Sequence, residues 1–197
     1  LALVAGQRGY KLKVVVPDKM SQEKIAHLRA MGAEVVLTRS DVGKGHPEYY
    51  QDVAARIASE TPNSFYTDQF SNWDNADAHY RTTGPEIFEQ TQGKVDAVVV
   101  GVGSSGTLAG LSKFFKEHKP GVKIILADPK GSILAPLVNE GRTVEAGSWL
   151  VEGMGEDFVP AMCDLEAISE AIEVSDAESF FAARELLARE GLLVGSS

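Results

Sequence analysis

Apolar residues follow two alternating rhythms along this chain. Short continuous runs such as Val14-Val15-Val16, Val98-Val99-Val100 and Ile124-Ile125-Leu126 predict buried strands. Between them apolar positions return at helical spacing, as Ile25, Leu28 and Met31 do behind Ser21, with Gly32 closing the run. The pattern predicts strands over residues 11–17, 34–38, 63–67, 96–101, 122–127 and 171–174. It predicts helices over residues 1–9, from Ser21 to Gly32, and over 47–59, 76–92, 107–118 and 176–190. Residues 131–157 read as a loop-rich stretch. Apolar strands alternating with helices imply an α/β fold with parallel sheet covered on both faces. The polar loop 68–75 is the expected crossing between two lobes. Residues 1–72 then form the remainder of a smaller N-terminal α/β lobe, and 73–197 a larger, incomplete cofactor-binding lobe. The first residues open as though already inside a helix and Gly195-Ser196-Ser197 stop on a turn signal, so the chain reads as truncated at both ends.

Composition narrows the function classes. The chain has 197 residues, 44% of them hydrophobic and 24% charged, with a net charge of −9. That balance argues against a nucleic-acid surface, which needs clustered Lys and Arg to neutralise phosphates, and against an anionic membrane surface. The apolar runs are too short to span a bilayer. A single cysteine, Cys163, excludes an internal disulfide and suits a reducing cytoplasm. It has no evident base partner and reads as a core or near-surface residue. His27 and His118 read as solvated and His79 as a packing residue. Trp73 and Trp149 fit a pocket lining or a dimer contact equally well.

One stretch carries chemistry. A strand, then Gly101-Val102-Gly103-Ser104-Ser105-Gly106-Thr107, then a helix is an arrangement that binds phosphate. Glycines let backbone N–H groups approach an anion, and the helix start adds its positive end. No Lys or Arg lies in the loop, so binding rests on backbone dipoles and hydroxyls. The spacing also matches the dinucleotide fingerprint, with Asp128 near the offset of a ribose-binding acid. From the loop alone a terminal monophosphate, a nicotinamide or flavin dinucleotide in an oxidoreductase, and a purely structural glycine turn in a non-catalytic α/β binding module all remain open. The hydroxyls of Ser104, Ser105 and Thr107 favour the monophosphate.

Several ordered motifs go further. Pro17-Asp18-Lys19-Met20-Ser21-x-Glu23-Lys24, Leu28-Arg29-Ala30-Met31-Gly32-Ala33-Glu34-Val35-Val36, Asp68-Gln69-Phe70-x-Asn72 and Thr82-Thr83-Gly84-Pro85-Glu86-Ile87 come first. The glycine loop, Asp128-Pro129-x-Gly131-Ser132-Ile133-Leu134, Val151-Glu152-Gly153-Met154-Gly155-x-Asp157-Phe158-Val159-Pro160 and Glu190-Gly191-Leu192-Leu193 follow. Together they resemble the cystathionine β-synthase and cysteine synthase family, the tryptophan-synthase-β-like (fold type II) group of pyridoxal phosphate (PLP) enzymes. The resemblance implies two lobes of parallel-type sheet flanked by helices, with pyridoxal 5'-phosphate as cofactor. It implies β-replacement on L-serine or O-acetyl-L-serine, with homocysteine giving cystathionine or sulfide giving cysteine. It also implies a cytoplasmic homodimer that acts on small amino acids and a thiol or sulfide.

Residue by residue, the resemblance gives Gly103, Ser104, Ser105, Gly106 and Thr107 to the cofactor phosphate. Ser197 falls at the serine set against the pyridine nitrogen. Gln69, Gly153 and Gly155 fall at substrate-binding positions. The family usually has Thr and Gly where this chain has Ser104 and Ser105, and animal cystathionine synthases have a Tyr where this chain has Glu156. The family's Schiff-base lysine falls upstream of Leu1, so no catalytic residue is assigned within 1–197, and no metal ligand is expected.

Overall fold

A computed structural model describes residues 1–197. The chain divides into two compact units, Leu1–Asp68 and Gln69–Ser197.

The first unit opens with α1 (Ala2–Arg8), closed by Gly9 in the left-handed conformation. Strand β1 (Lys13–Pro17) pairs in parallel with β2 (Glu34–Thr38), Val15 opposite Val36. Between them runs α2 (Gln22–Ala30), whose Ser21 side chain accepts the N–H of Lys24 as a cap. Ile25 is the buried anchor of α2. Helix α3 (Tyr50–Glu60) follows and buries Val53. Residues 63–67 are irregular rather than the expected strand. Phe65, the most apolar residue there, is 80% exposed, and Asn63 takes a positive φ that an extended strand does not contain.

The second unit holds the candidate chemistry. Helices α4 (Asp74–Arg81) and α5 (Thr83–Gln90) replace the single helix expected over 76–92. The break falls at Thr82, whose φ of −121° and ψ of −70° are not helical. Pro85, in the first turn of α5, has no N–H to give the Arg81 carbonyl, and its ring excludes a continuous helix there. Strand β3 (Ala97–Val100), helix α6 (Gly106–His118) and strand β4 (Lys123–Pro129) make one βαβ unit. Helix α7 (Leu134–Glu140) lies in the stretch expected to be loop. Strand β5 (Glu170–Val174) precedes α8 (Asp176–Glu190), which Gly191 ends in the left-handed conformation.

The sheet order is β3-β4-β5, all parallel, with Val100 opposite Leu126 and Leu126 opposite Ala171. Val100, Leu126 and Ala171 form one core with Val102, Leu108, Ile133 and Leu134. Val95, Leu111, Phe114 and Phe115 make a second cluster along α6. Burying each large side chain of these clusters contributes about 1.5–3 kcal/mol. The expected cover of both sheet faces holds for this face only. On the other face Val99 and Ile172 are 63% and 47% exposed. An apolar run tells that a strand can be buried on two sides, not which elements of the chain supply the cover. No helix is long and apolar enough to cross a membrane.

Candidate cofactor site

The glycine loop joins the end of β3 to the start of α6, at the carboxyl edge of the sheet, where open α/β folds place their ligands. Helix α6 starts at Ser105, and no side chain caps it. The first turn of a helix has N–H groups without intrahelical partners, so this start is left to an outside acceptor. Helix α6 is 13 residues long and carries no acid in its first turn to occupy that position.

Close packing explains the glycines. A Cβ on Gly106 would run into the Asn75 side chain, and one on Gly103 would sit 2.6 Å from the Gly153 carbonyl oxygen. A Cβ on Gly101 would meet the end of Met154 at 2.9 Å. Gly110, one turn further along α6, lets α4 cross against the Ala76 carbonyl and His79. The Gly155 N–H donates to the Val102 carbonyl at 2.8 Å, so residues 153–155 lie directly against the loop.

The hydroxyls divide. Asn75 Nδ2 donates to Ser104 Oγ at 2.9 Å, which leaves the Ser104 proton for another acceptor. Asn75 Nδ2 also reaches the Gln69 carbonyl at 2.9 Å, tying that segment to the loop through its backbone while the Gln69 residue stays exposed. Thr107 Oγ1 lies 3.2 Å from His79 Nε2, and His79 Nδ1 lies 2.9 Å from Thr83 Oγ1. His79 therefore links α4, α5 and the start of α6. Ser105 behaves differently. It is 3% exposed, holds a φ of 72°, and its buried hydroxyl makes no hydrogen bond of good geometry. The half-buried thiol of Cys163 is its polar neighbour, and burial pushes that thiol up from its ordinary pKa. Any part Ser105 plays toward an anion belongs to its backbone.

Asp128, the acid of the dinucleotide alternative, ends β4 with no exposure at all. One carboxylate oxygen accepts the Ala135 N–H at 2.8 Å and the other is unpartnered. Burial raises its pKa above the ordinary aspartate value, while the Ala135 N–H and the Ser132 hydroxyl pull it back. A carboxylate sealed in the core has no surface to offer a ribose.

The model of the pyridoxal-phosphate dependent enzyme family matches residues 1–197. This chain belongs to that family. Pyridoxal phosphate is accordingly the cofactor, and the nicotinamide alternative falls with Asp128. The chain is 44% identical over 197 residues to the cystathionine beta-synthase of Apis mellifera, covering 100% of this chain and 39% of that protein. It is 40% identical over 198 residues to cysteine synthase 3 of Caenorhabditis elegans, covering 100% and 56%. It is 37% identical over 199 residues to cysteine synthase A of Escherichia coli, covering 100% and 61%. The chain thus spans less than two thirds of each of these relatives. As a pyridoxal phosphate enzyme it needs a seat for a dianion. An uncapped 13-residue helix start with the Ser104 and Thr107 hydroxyls beside it fits that need.

Other expected residues lie elsewhere. Gly153 and Gly155 belong to the loop packed on the glycine loop, both with positive φ, 86° and 84°. Trp149 backs Gly155, its ring 2.8 Å from where a Cβ there would stand, whereas Trp73 is exposed. Ser197 is exposed, in the irregular segment after α8. His27 is exposed, and His118 stacks on Phe114 with ring centroids 4.2 Å apart. Asn75 and Ser132 are the residues sequence reasoning passed over. An Asn in a first helical turn, where the residue is a poor helix former, was the only signal for Asn75.

Proposed function

We propose that this chain serves β-replacement on L-serine or O-acetyl-L-serine, giving cystathionine with homocysteine or cysteine with sulfide. The carrying observation is the uncapped start of α6 in a chain whose full length is similar to both cystathionine beta-synthases and cysteine synthases. Bound there, pyridoxal phosphate supplies the electron sink for chemistry at the substrate α-carbon. The chain's own part is to hold and orient. Gly103, Gly106 and the backbone of Ser105 form the phosphate seat, and Ser104 and Thr107 offer hydroxyls. Ser197 faces the pyridine nitrogen. A neutral hydroxyl there moderates the sink and suits elimination at the β-carbon. Gln69, Gly153 and Gly155 line the substrate side.

Glu156 distinguishes the mouth of this site. Its Oε1 lies 3.8 Å from where a Cβ on Gly103 would stand, so a carboxylate borders the loop. The enzyme works as a homodimer in the cytoplasm, on small amino acids and a thiol or sulfide. Assay of the encoded protein with serine plus homocysteine against O-acetylserine plus sulfide tests this reading. Turnover in one pair supports it and names the branch. No turnover in either, with pyridoxal phosphate bound, overturns it.

A further inference from the structure

The 153–156 loop has no regular structure of its own, and two of its four residues take positive φ. Its position against the glycine loop therefore has to be imposed from outside. On one edge it meets the glycine loop, through the Gly155 N–H on the Val102 carbonyl and the Gly153 carbonyl against Gly103. On the other edge Pro129 and Trp149 pack against Gly155, and one side chain holds the loop by hydrogen bonds. Ser132 is 1% exposed. Its hydroxyl accepts the Glu156 N–H at 3.1 Å and donates to the Glu156 carbonyl at 3.2 Å. It also accepts the Leu134 N–H at 3.3 Å. Its two lone pairs take those two N–H groups, and its one proton lies between the Glu156 carbonyl and the buried Asp128 carboxylate. The Ile133 N–H adds a second bond to the Glu156 carbonyl at 3.1 Å. Behind this turn the buried Asp128 accepts the Ala135 N–H, so the turn itself cannot drift.

We propose that Ser132 is a positioning residue: it bolts Glu156 at both backbone groups and so holds the 153–156 loop against the glycine loop. This rests on reading that loop as the phosphate seat. With the bolt gone, Gly155 can lift off Val102, the loop's seat on Gly103 opens, and the cradle loses its wall. Ser132 itself touches no reacting atom.

The test is hydrogen–deuterium exchange on the encoded protein, comparing Ser132→Ala with the parent. Peptides over residues 151–158, 100–108 and 122–128 are followed, without and with added pyridoxal phosphate. Exchange in 151–158 is expected to rise about tenfold, with a smaller rise in 100–108 and none in 122–128. The dissociation constant for pyridoxal phosphate, from absorbance titration, is expected to rise about fivefold. Ser132→Cys fills the same space with a weak acceptor and reads the same local loosening if the alanine variant fails to fold. Ser132→Thr, which restores a hydroxyl, is expected to recover most of the protection. Unchanged exchange in 151–158 overturns the proposal. So does an equal rise across all three regions, or local loosening with unaltered cofactor affinity. Failure of pyridoxal phosphate to protect 100–108 in the parent overturns the cofactor seat instead, and leaves the bolt to be judged on exchange alone.

Discussion

Helices α6 and α8 both begin at a serine, and the two serines do opposite things. Ser175 folds its hydroxyl onto the Glu178 N–H while the Glu178 carboxylate reaches back to the Ser175 N–H, a complete capping box. The Ser175 hydroxyl also donates to the Glu178 carboxylate at 2.6 Å, and with the Ser175 N–H it pulls that carboxyl below its ordinary pKa. Ser105 has a positive φ, turns its hydroxyl into the protein and caps nothing. One helix start satisfies itself and the other is left open. The open one has glycines packed to contact around it, which suits it to the proposed phosphate seat, whereas the closed one is scaffolding. Helix α7 shows a third solution, in which Asp128 and Ser132 cap the start from outside the helix.

The contrast can be broken most severely at Gly106. A methyl there collides with Asn75, so Gly106→Ala should cost about 1–3 kcal/mol in denaturant unfolding. It should also weaken pyridoxal phosphate binding more than tenfold in an absorbance titration. Affinity unchanged in a folded variant would mean the open helix start is not the seat. At α7 the expectation concerns pH. Burial raises the Asp128 carboxyl, so above its ordinary titration range the folded chain retains a proton that the unfolded chain has lost. Stability therefore falls as pH climbs from the ordinary value through the raised one. Asp128→Asn should flatten that slope in unfolding midpoints measured across the acidic range.

Ser175→Ala removes the capping box and should cost about 1 kcal/mol without touching cofactor affinity. Loss of affinity there would blur the distinction between the two serines. The smallest effect has the opposite sign. Ser105→Gly relieves a left-handed non-glycine residue, worth about 1–2 kcal/mol, against a backbone-entropy cost of about 0.5–1 kcal/mol. It also deletes a buried unpartnered hydroxyl, so a net gain of about 0.5 kcal/mol is expected in thermal unfolding, with cofactor affinity retained. A destabilised Ser105→Gly would show that the Ser105 hydroxyl does have a partner that holds the loop.

Much of the fold was legible because it rests on local signals. The Ser21 cap, the helix from Asp176 closed by Gly191, and the apolar runs of β3 and β4 are short-range patterns with a direct physical cause. The misses have other causes. The break at Thr82 sits just before Pro85, a local signal that the helical period masked, and 63–67 has strand-forming residues yet pairs with neither β1 nor β2. Helix α7 was hidden because its caps come from Asp128 and Ser132, the first of them seven residues before the N–H it accepts. At the site, the loop's residues were plain in the sequence, whereas Asn75, 29 positions before Ser104, and Ser132, 24 before Glu156, were not.

By itself, then, the sequence determined a parallel α/β architecture, a glycine-rich helix start, and a family carried by many ordered motifs. Only the tertiary structure decided how that helix start is packed. It turned the Ser105 hydroxyl inward, sealed Asp128 in the core and put Asn75 and Ser132 on the loops that matter. The physical reason is range. Propensity, capping and hydrophobic period act over a few residues, but burial and the partner of a hydroxyl are set by segments dozens of positions away.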